Sequence, residues 1–149
     1  MTNDEGMTSS SEDAFWDYSE TGFVREEPPE SKRYDLEERT ARFGECVIAF
    51  ARKIPQDSVK NRIISQLIAA ATSVGANYVE ADDAVSKKEF LKSIGTCKKE
   101  ARETKHFLRM IVSAVPGLKP DARKLWLEAR ELHLIFAKIW RSGKNSVTE

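Results

Sequence analysis

The sequence predicts an all-α protein folded as an antiparallel up-and-down four-helix bundle, and three observations point there. From residue 36 onward apolar positions recur in alternating steps of four and three, the spacing of helices that share a narrow seam. Gly and Pro are sparse, 7 and 5 in 149 residues, and the prolines punctuate the periodic segments. No internal repeat and no strand-like alternation runs through the chain.

Four helices follow from that spacing. The first runs through Leu36, Thr40, Phe43, Val47, Phe50 and Ile54, with Asp35 as its expected N-cap and Pro55 as its stop. A second, entered near Asp57 or Ser58, carries Ile64, Leu67, Ala71, Val74, Tyr78 and Ala81 and ends around residues 82 to 85. The capping box Ser86-Lys87-Lys88-Glu89 opens the third, which continues through Phe90, Ile94, Cys97, Ala101, Thr104, Leu108 and Ile111 to Pro116-Gly117. That helix is the longest, about 42 Å at the usual rise per residue. The fourth enters after Pro120 with Asp121 as the expected N-cap, and carries Leu125, Ala129, Leu132, Phe136 and Ile139 toward Gly143. Short connections force sequence neighbours to run antiparallel.

A formal net charge of zero hides an uneven distribution. Residues 1 to 31 hold nine acids and one base, Arg25, so the remainder holds 23 bases and 15 acids. The expected organisation is an acidic, mostly disordered extension over 1–31, a basic bundle over 34–143 and a short tail over 144–149. Within the extension Phe15-Trp16-Asp17-Tyr18 stands out as an acidic aromatic segment that either stays unattached or docks on a partner or on the basic domain. Cys46 and Cys97 are too few and too far apart for a zinc site or a disulfide framework, and they read as reduced, packed thiols. The N-terminus lacks a basic region followed by an apolar one, so a cytoplasmic location is expected.

Residues 63 to 79 contain no charged side chain. The stretch is short and polar for a membrane span, with Ser65, Gln66, Thr72, Ser73 and Asn77 inside it. One bundle buries one side of each helix, so Ile68, Thr72, Gly75 and Val79 are expected to meet another subunit. Trp126 and Trp140, which share a line on the fourth helix, are expected first at the core or at that interface and last as stacking surfaces for bases.

Gln66, Ser73, Asn77 and Glu80 with Glu100 and Glu103 form flanking polar lines on the second and third helices. A buried network of these six is expected, with Arg39, Arg42 or Arg102 as counter-charge. Glu103-x-x-His106 has the spacing of carboxylate-bridged metal bundles, but His133 is preceded three residues earlier by Arg130 instead of Glu, so no metal and no cofactor is expected. Lys98, Arg102, Lys105 and Arg109 form a basic stripe, with Lys87, Lys88 and Lys92 near its start. It reads either as a solvated face or as a track for nucleic-acid phosphates. No phosphate-cradling glycine loop and no nucleophile with its base is evident, which argues against an enzyme.

Tyr34-Asp35-Leu36-Glu37-Glu38-Arg39-Thr40, Ser73-Val74-Gly75-Ala76-Asn77-Tyr78-Val79-Glu80-Ala81 and Lys99-Glu100-Ala101-Arg102-Glu103-Thr104 carry a family likeness. Over residues 34 to 143 the chain resembles the bacterial four-helix-bundle proteins encoded in intervening sequences of 23S ribosomal RNA genes. The resemblance implies the bundle and a cyclic homo-oligomer, most often a pentamer. The accessory variability protein of diversity-generating retroelements, similar in fold, implies RNA or DNA as partner, alongside a nucleic-acid enzyme such as a reverse transcriptase. The leading expectation is a non-catalytic homo-oligomeric scaffold that binds nucleic acid at Lys98, Arg102, Lys105 and Arg109. The alternative is a protein interaction module without nucleic acid, and a carboxylate metal protein stands third. The acidic extension departs from the simplest family pattern and is expected to screen the basic surface.

Overall fold

The computed structural model describes residues 10–19 and 35–147. A short helix, α1 (Ser10–Trp16), belongs to the first of two compact units, and within it the Phe15 and Trp16 rings meet edge to face at 5.0 Å. The second unit holds four long helices: α2 (Leu36–Ala51), α3 (Ser58–Asp82), α4 (Lys87–Ala114) and α5 (Lys119–Val147). No strand occurs among the described residues, and the four helices pack as an all-α bundle. Most of the extension expected to be disordered lies outside the described residues. In its described part, α1 replaces the irregular segment that composition suggests.

Local chemistry sets the ends. Pro55 cannot continue a helix, and before it the chain tightens into successive turns, Lys53 N–H donating to Phe50 O and Ile54 N–H to Ala51 O, both at 3.1 Å. Asp57 caps α3, its carboxylate accepting from Val59 N–H at 3.1 Å and Lys60 N–H at 2.8 Å. Those bonds and the Lys60 ammonium, the ammonium foremost, hold the Asp57 carboxyl below its ordinary range. Ser86 caps α4 by accepting from Glu89 N–H at 3.1 Å. Glu89 reaches back to Val85 N–H at 3.4 Å, one residue earlier than a standard capping box places it.

The start of α5 differs from expectation. Pro116–Leu118 forms a 3-10 turn and α5 begins directly after it at Lys119, so Asp121 lies in the first turn and is not the N-cap. Pro120 is tolerated there because the first helical N–H groups have no intrahelical acceptor. Asp121 suits the positive end of the helix dipole and lies 3.8 Å from Lys53 Nζ. Gly143 does not stop the helix either. A Cβ on Gly143 would overlap Leu91 Cδ2, so the glycine lets α5 lie close on α4 and the helix continues to Val147. Residues 144 to 147, expected as tail, are helical.

Most of the core is the predicted seam, but Ile64, Phe90, Leu125 and Ile139 are only half-buried, and Leu91, Val112, Ala122 and Ala137 are buried beside it. Leu36, Phe43, Val47, Phe50, Leu67, Val74, Ile94, Leu108, Ile111, Leu132 and Phe136 are buried, with Tyr78 tilted against Phe136 at 5.9 Å. Contacts are most extensive between α3 and α4, then α4 and α5, then α2 and α3, and sparse between α2 and α5. The Arg39–Glu128 fork, at 2.7 and 2.9 Å, clasps that sparse pair. Its hydrogen bonds raise the Arg39 guanidinium above its ordinary value despite partial burial. Thr40 opposes Gly75 and Gly44 opposes Thr72, whereas Leu91 opposes Gly143 and Gly95 opposes Trp140, which fixes antiparallel neighbours on both sides. No described helix is long and apolar enough to cross a membrane.

Candidate functional site

Two surfaces of the bundle depart from a plain solvated exterior. The first is the outer face of α3 beside α2. Ser65, Ala69, Thr72, Ala76 and Val79 repeat along one line of α3 and all are exposed, yet none is charged. Small residues let the two helices approach: a Cβ on Gly44 would stand 3.6 Å from Thr72 Cγ2, and one on Gly75 would stand 3.2 Å from Thr40 Oγ1. Above that close approach lies a groove of about 350 Å³, floored by Thr40, Gly44, Thr72 and Gly75 and walled by Ile48 and Val79. Ile48 and Val79 are 39% and 50% exposed, unusual for large apolar side chains. Glu37 and Glu45 are the acids that line it.

Of the residues expected at a subunit contact, Thr72, Gly75 and Val79 line this groove, and Ile68 is half-buried on the same helix. Trp126 does not belong with them. It has no exposed surface in the single chain, with Lys105 Nζ 5.9 Å from its ring centre, so it is a core residue. Trp140 is half-buried on α5 against α4 and takes no part in the groove.

The second surface is where the start of α4 meets the end of α5. Residues 87–99 and 138–145 are brought alongside by the antiparallel packing, and together they carry eight bases and one acid, Glu89. Lys87, Lys88, Lys92, Lys99, Lys138, Arg141 and Lys144 are exposed and Lys98 is half-buried. Lys98 Nζ and Lys144 Nζ lie 5.2 and 5.3 Å from the centre of the Trp140 ring. His133 Nδ1 lies 3.2 Å from the carbonyl oxygen of Lys98; a carbonyl can only accept, so Nδ1 is the protonated nitrogen.

The basic stripe expected along α4 is therefore only partly usable. Arg102 is exposed and Lys98 and Arg109 are half-buried, but Lys105 is only 7% exposed over the Trp126 ring and cannot join a solvent-facing row. Spacing within one helix does not single out Lys99, Lys138, Arg141 and Lys144. Pairing the start of the third predicted helix with the end of the fourth would have found them.

The expected buried network of Gln66, Ser73, Asn77, Glu80, Glu100 and Glu103 does not form within the chain. Gln66, Glu80 and Glu103 are exposed, and the shorter polar groups bond to their own helices. Asn77 Nδ2 donates to Ser73 O at 2.8 Å, Thr72 Oγ1 to Ile68 O at 2.8 Å and Thr104 Oγ1 to Glu100 O at 2.8 Å. Of the proposed counter-charges, Arg39 is engaged with Glu128 and Arg42 with Glu38, and Arg102 is exposed. Partial burial, and secondarily the Glu103 charge, raise the Glu100 carboxyl above its ordinary range. Glu103 and His106 are both exposed, and no cluster of three or more metal-ligating side chains occurs among the described residues. Cys97 is buried against Val74 O, and burial pushes its thiol up to about 12, whereas Cys46 is exposed and not packed as expected.

An all-α bundle with a groove of small and apolar side chains bordered by two acids on one side, and a concentrated basic surface on another, defines a class of small helical-bundle proteins. The model of the 23S rRNA-intervening sequence protein family matches residues 32–137, and the chain belongs to that family. A crystal structure of a protein of unknown function from the S23 ribosomal protein family of Bacteroides thetaiotaomicron VPI-5482 is similar, with a TM-score of 0.64 and 19% identity, over 74% of this chain and 98% of that one. No curated protein matches the chain.

Proposed function

We propose that the protein is a non-catalytic, self-assembling scaffold that binds nucleic acid through the paired ends of α4 and α5. The observation that carries this reading is the eight-to-one excess of bases over acids on those two segments. Clustered exposed Lys and Arg neutralise phosphates and release counterions, which supplies affinity without demanding a particular base sequence. Assembly would use the α2/α3 groove, because a stripe of uncharged side chains exposed along α3 is a poor match for water and a good one for another protein surface. The resemblance to ring-forming family members suggests a pentamer. It also suggests a nucleic-acid enzyme, such as a reverse transcriptase, as a further partner.

Charge reversal tests the nucleic-acid part. Lys88→Glu, Lys92→Glu and Arg141→Glu, all at exposed positions, should together weaken RNA binding at least 10-fold and lower its salt dependence while leaving helical content unchanged. Equal binding by the triple variant would refute the assigned surface. The groove favours a second reading, a protein interaction module without nucleic acid, for which salt-dependent RNA binding should be absent altogether.

A further inference from the structure

Within the basic surface Trp140 is placed unusually. Its indole lies against the backbone of α4 where residue 95 is glycine: a Cβ there would stand 3.3 Å from Trp140 Nε1 and 3.6 Å from Cδ1. The Nε1–Cδ1 edge of the ring is thus set against α4, and the residue is half-buried. Lys98 from α4 and Lys144 from α5 place their ammonium groups over the ring, 5.2 and 5.3 Å from its centre, so a stacking base must displace at least one of them. These cations sit on flexible stems, whereas the ring is rigid, so a ligand can move the lysines without moving the platform. Every nucleobase has a flat face that an indole can stack upon, and in a duplex those faces are hidden between neighbouring base pairs. An acidic peptide would share the attraction to charge but would gain nothing specific from the half-buried indole.

We propose that Trp140, flanked by Lys98 and Lys144 and seated on Gly95, is a stacking platform for an unpaired base of single-stranded RNA or DNA, with the two ammonium groups taking the adjoining phosphates. The proposal rests on the nucleic-acid reading above and narrows it to single strands.

The test uses the full chain and a labelled oligouridylate, with a duplex of equal length and inorganic polyphosphate as comparisons. Trp140→Leu should weaken the oligouridylate between about 5-fold and about 150-fold, the range for one stacked base, and leave polyphosphate binding unchanged. Trp140→Phe should retain most of the affinity. Lys98→Gln with Lys144→Gln should lower the salt slope by about 1.4, at about 0.7 per single-strand phosphate. Indole emission of the wild type should be quenched by the oligonucleotide, and Trp140→Phe should abolish that change, a readout that does not depend on the leucine variant folding.

Unchanged affinity in Trp140→Leu, or an equal loss toward duplex and polyphosphate, overturns the platform while leaving general nucleic-acid binding intact. A loss reproduced with an acidic peptide of matched charge also overturns it. Failure of the wild type to bind any nucleic acid removes both the platform and the reading beneath it.

Discussion

Gly143 shows how one residue can carry two opposite meanings. Near the end of a periodic run, glycine reads as a stop, and only the partner helix reveals that its missing side chain accommodates Leu91. Gly143→Ala must displace the end of the Leu91 side chain, so it should fail to bring the gain of about 1 kcal/mol that alanine ordinarily gives a helix over glycine, measured by urea unfolding. Phe136, fully buried against Tyr78, marks the other extreme: Phe136→Ala should cost about 3–5 kcal/mol. Glu100 gives a pH signature. Its carboxyl is raised in the folded state, so the fold holds that proton more tightly than the unfolded chain does. The associated stability is complete below the ordinary glutamate range and is lost as pH rises through the raised folded value. Glu100→Gln, which cannot ionise, should be slightly more stable than wild type at neutral pH, by no more than about 0.5 kcal/mol. The difference should vanish in thermal scans at pH values below the ordinary glutamate range. A gain that persists in acid would contradict this cause.

At the scale of elements, the helices were legible because caps, prolines and seam spacing agree. Asp57, Ser86 and Pro55 act where pattern places them. The start of α5 was not legible, since Pro-Gly-Leu-Lys-Pro reads as a loop and only tertiary packing winds it into a 3-10 turn running into the helix. Faces were harder than helices. The polar lines on α3 and α4 invite a network, but short side chains bond to the carbonyl four residues back before they reach across. The uncharged character of α3 is plain in the sequence, whereas the groove needs the approach of α2 at Gly44 and Thr40. If that face assembles copies of the chain, Ala76→Arg should lower the native mass toward the monomer without reducing helical content, because Ala76 is exposed in the single chain. An unchanged mass would place the assembly surface elsewhere.

The whole molecule is organised by charge. Acids dominate residues 1–31, a groove of small and apolar side chains bordered by Glu37 and Glu45 lies between α2 and α3, and bases concentrate where α4 begins and α5 ends. A single-helix pattern captures Lys98 and Arg102 but misses Lys138, Arg141 and Lys144, because their relation to Lys88 and Lys92 exists only once the last two helices pair. The buried Lys105 was equally invisible, since its spacing matches exposed neighbours. The most direct measurement for the scaffold reading is a titration of the full chain with single-stranded RNA across several salt concentrations. Engagement of at least three phosphates by the paired ends of α4 and α5 predicts that the logarithm of affinity falls with the logarithm of salt at a slope of about −2 or steeper. Binding without a salt slope, or no binding at low salt, would contradict it.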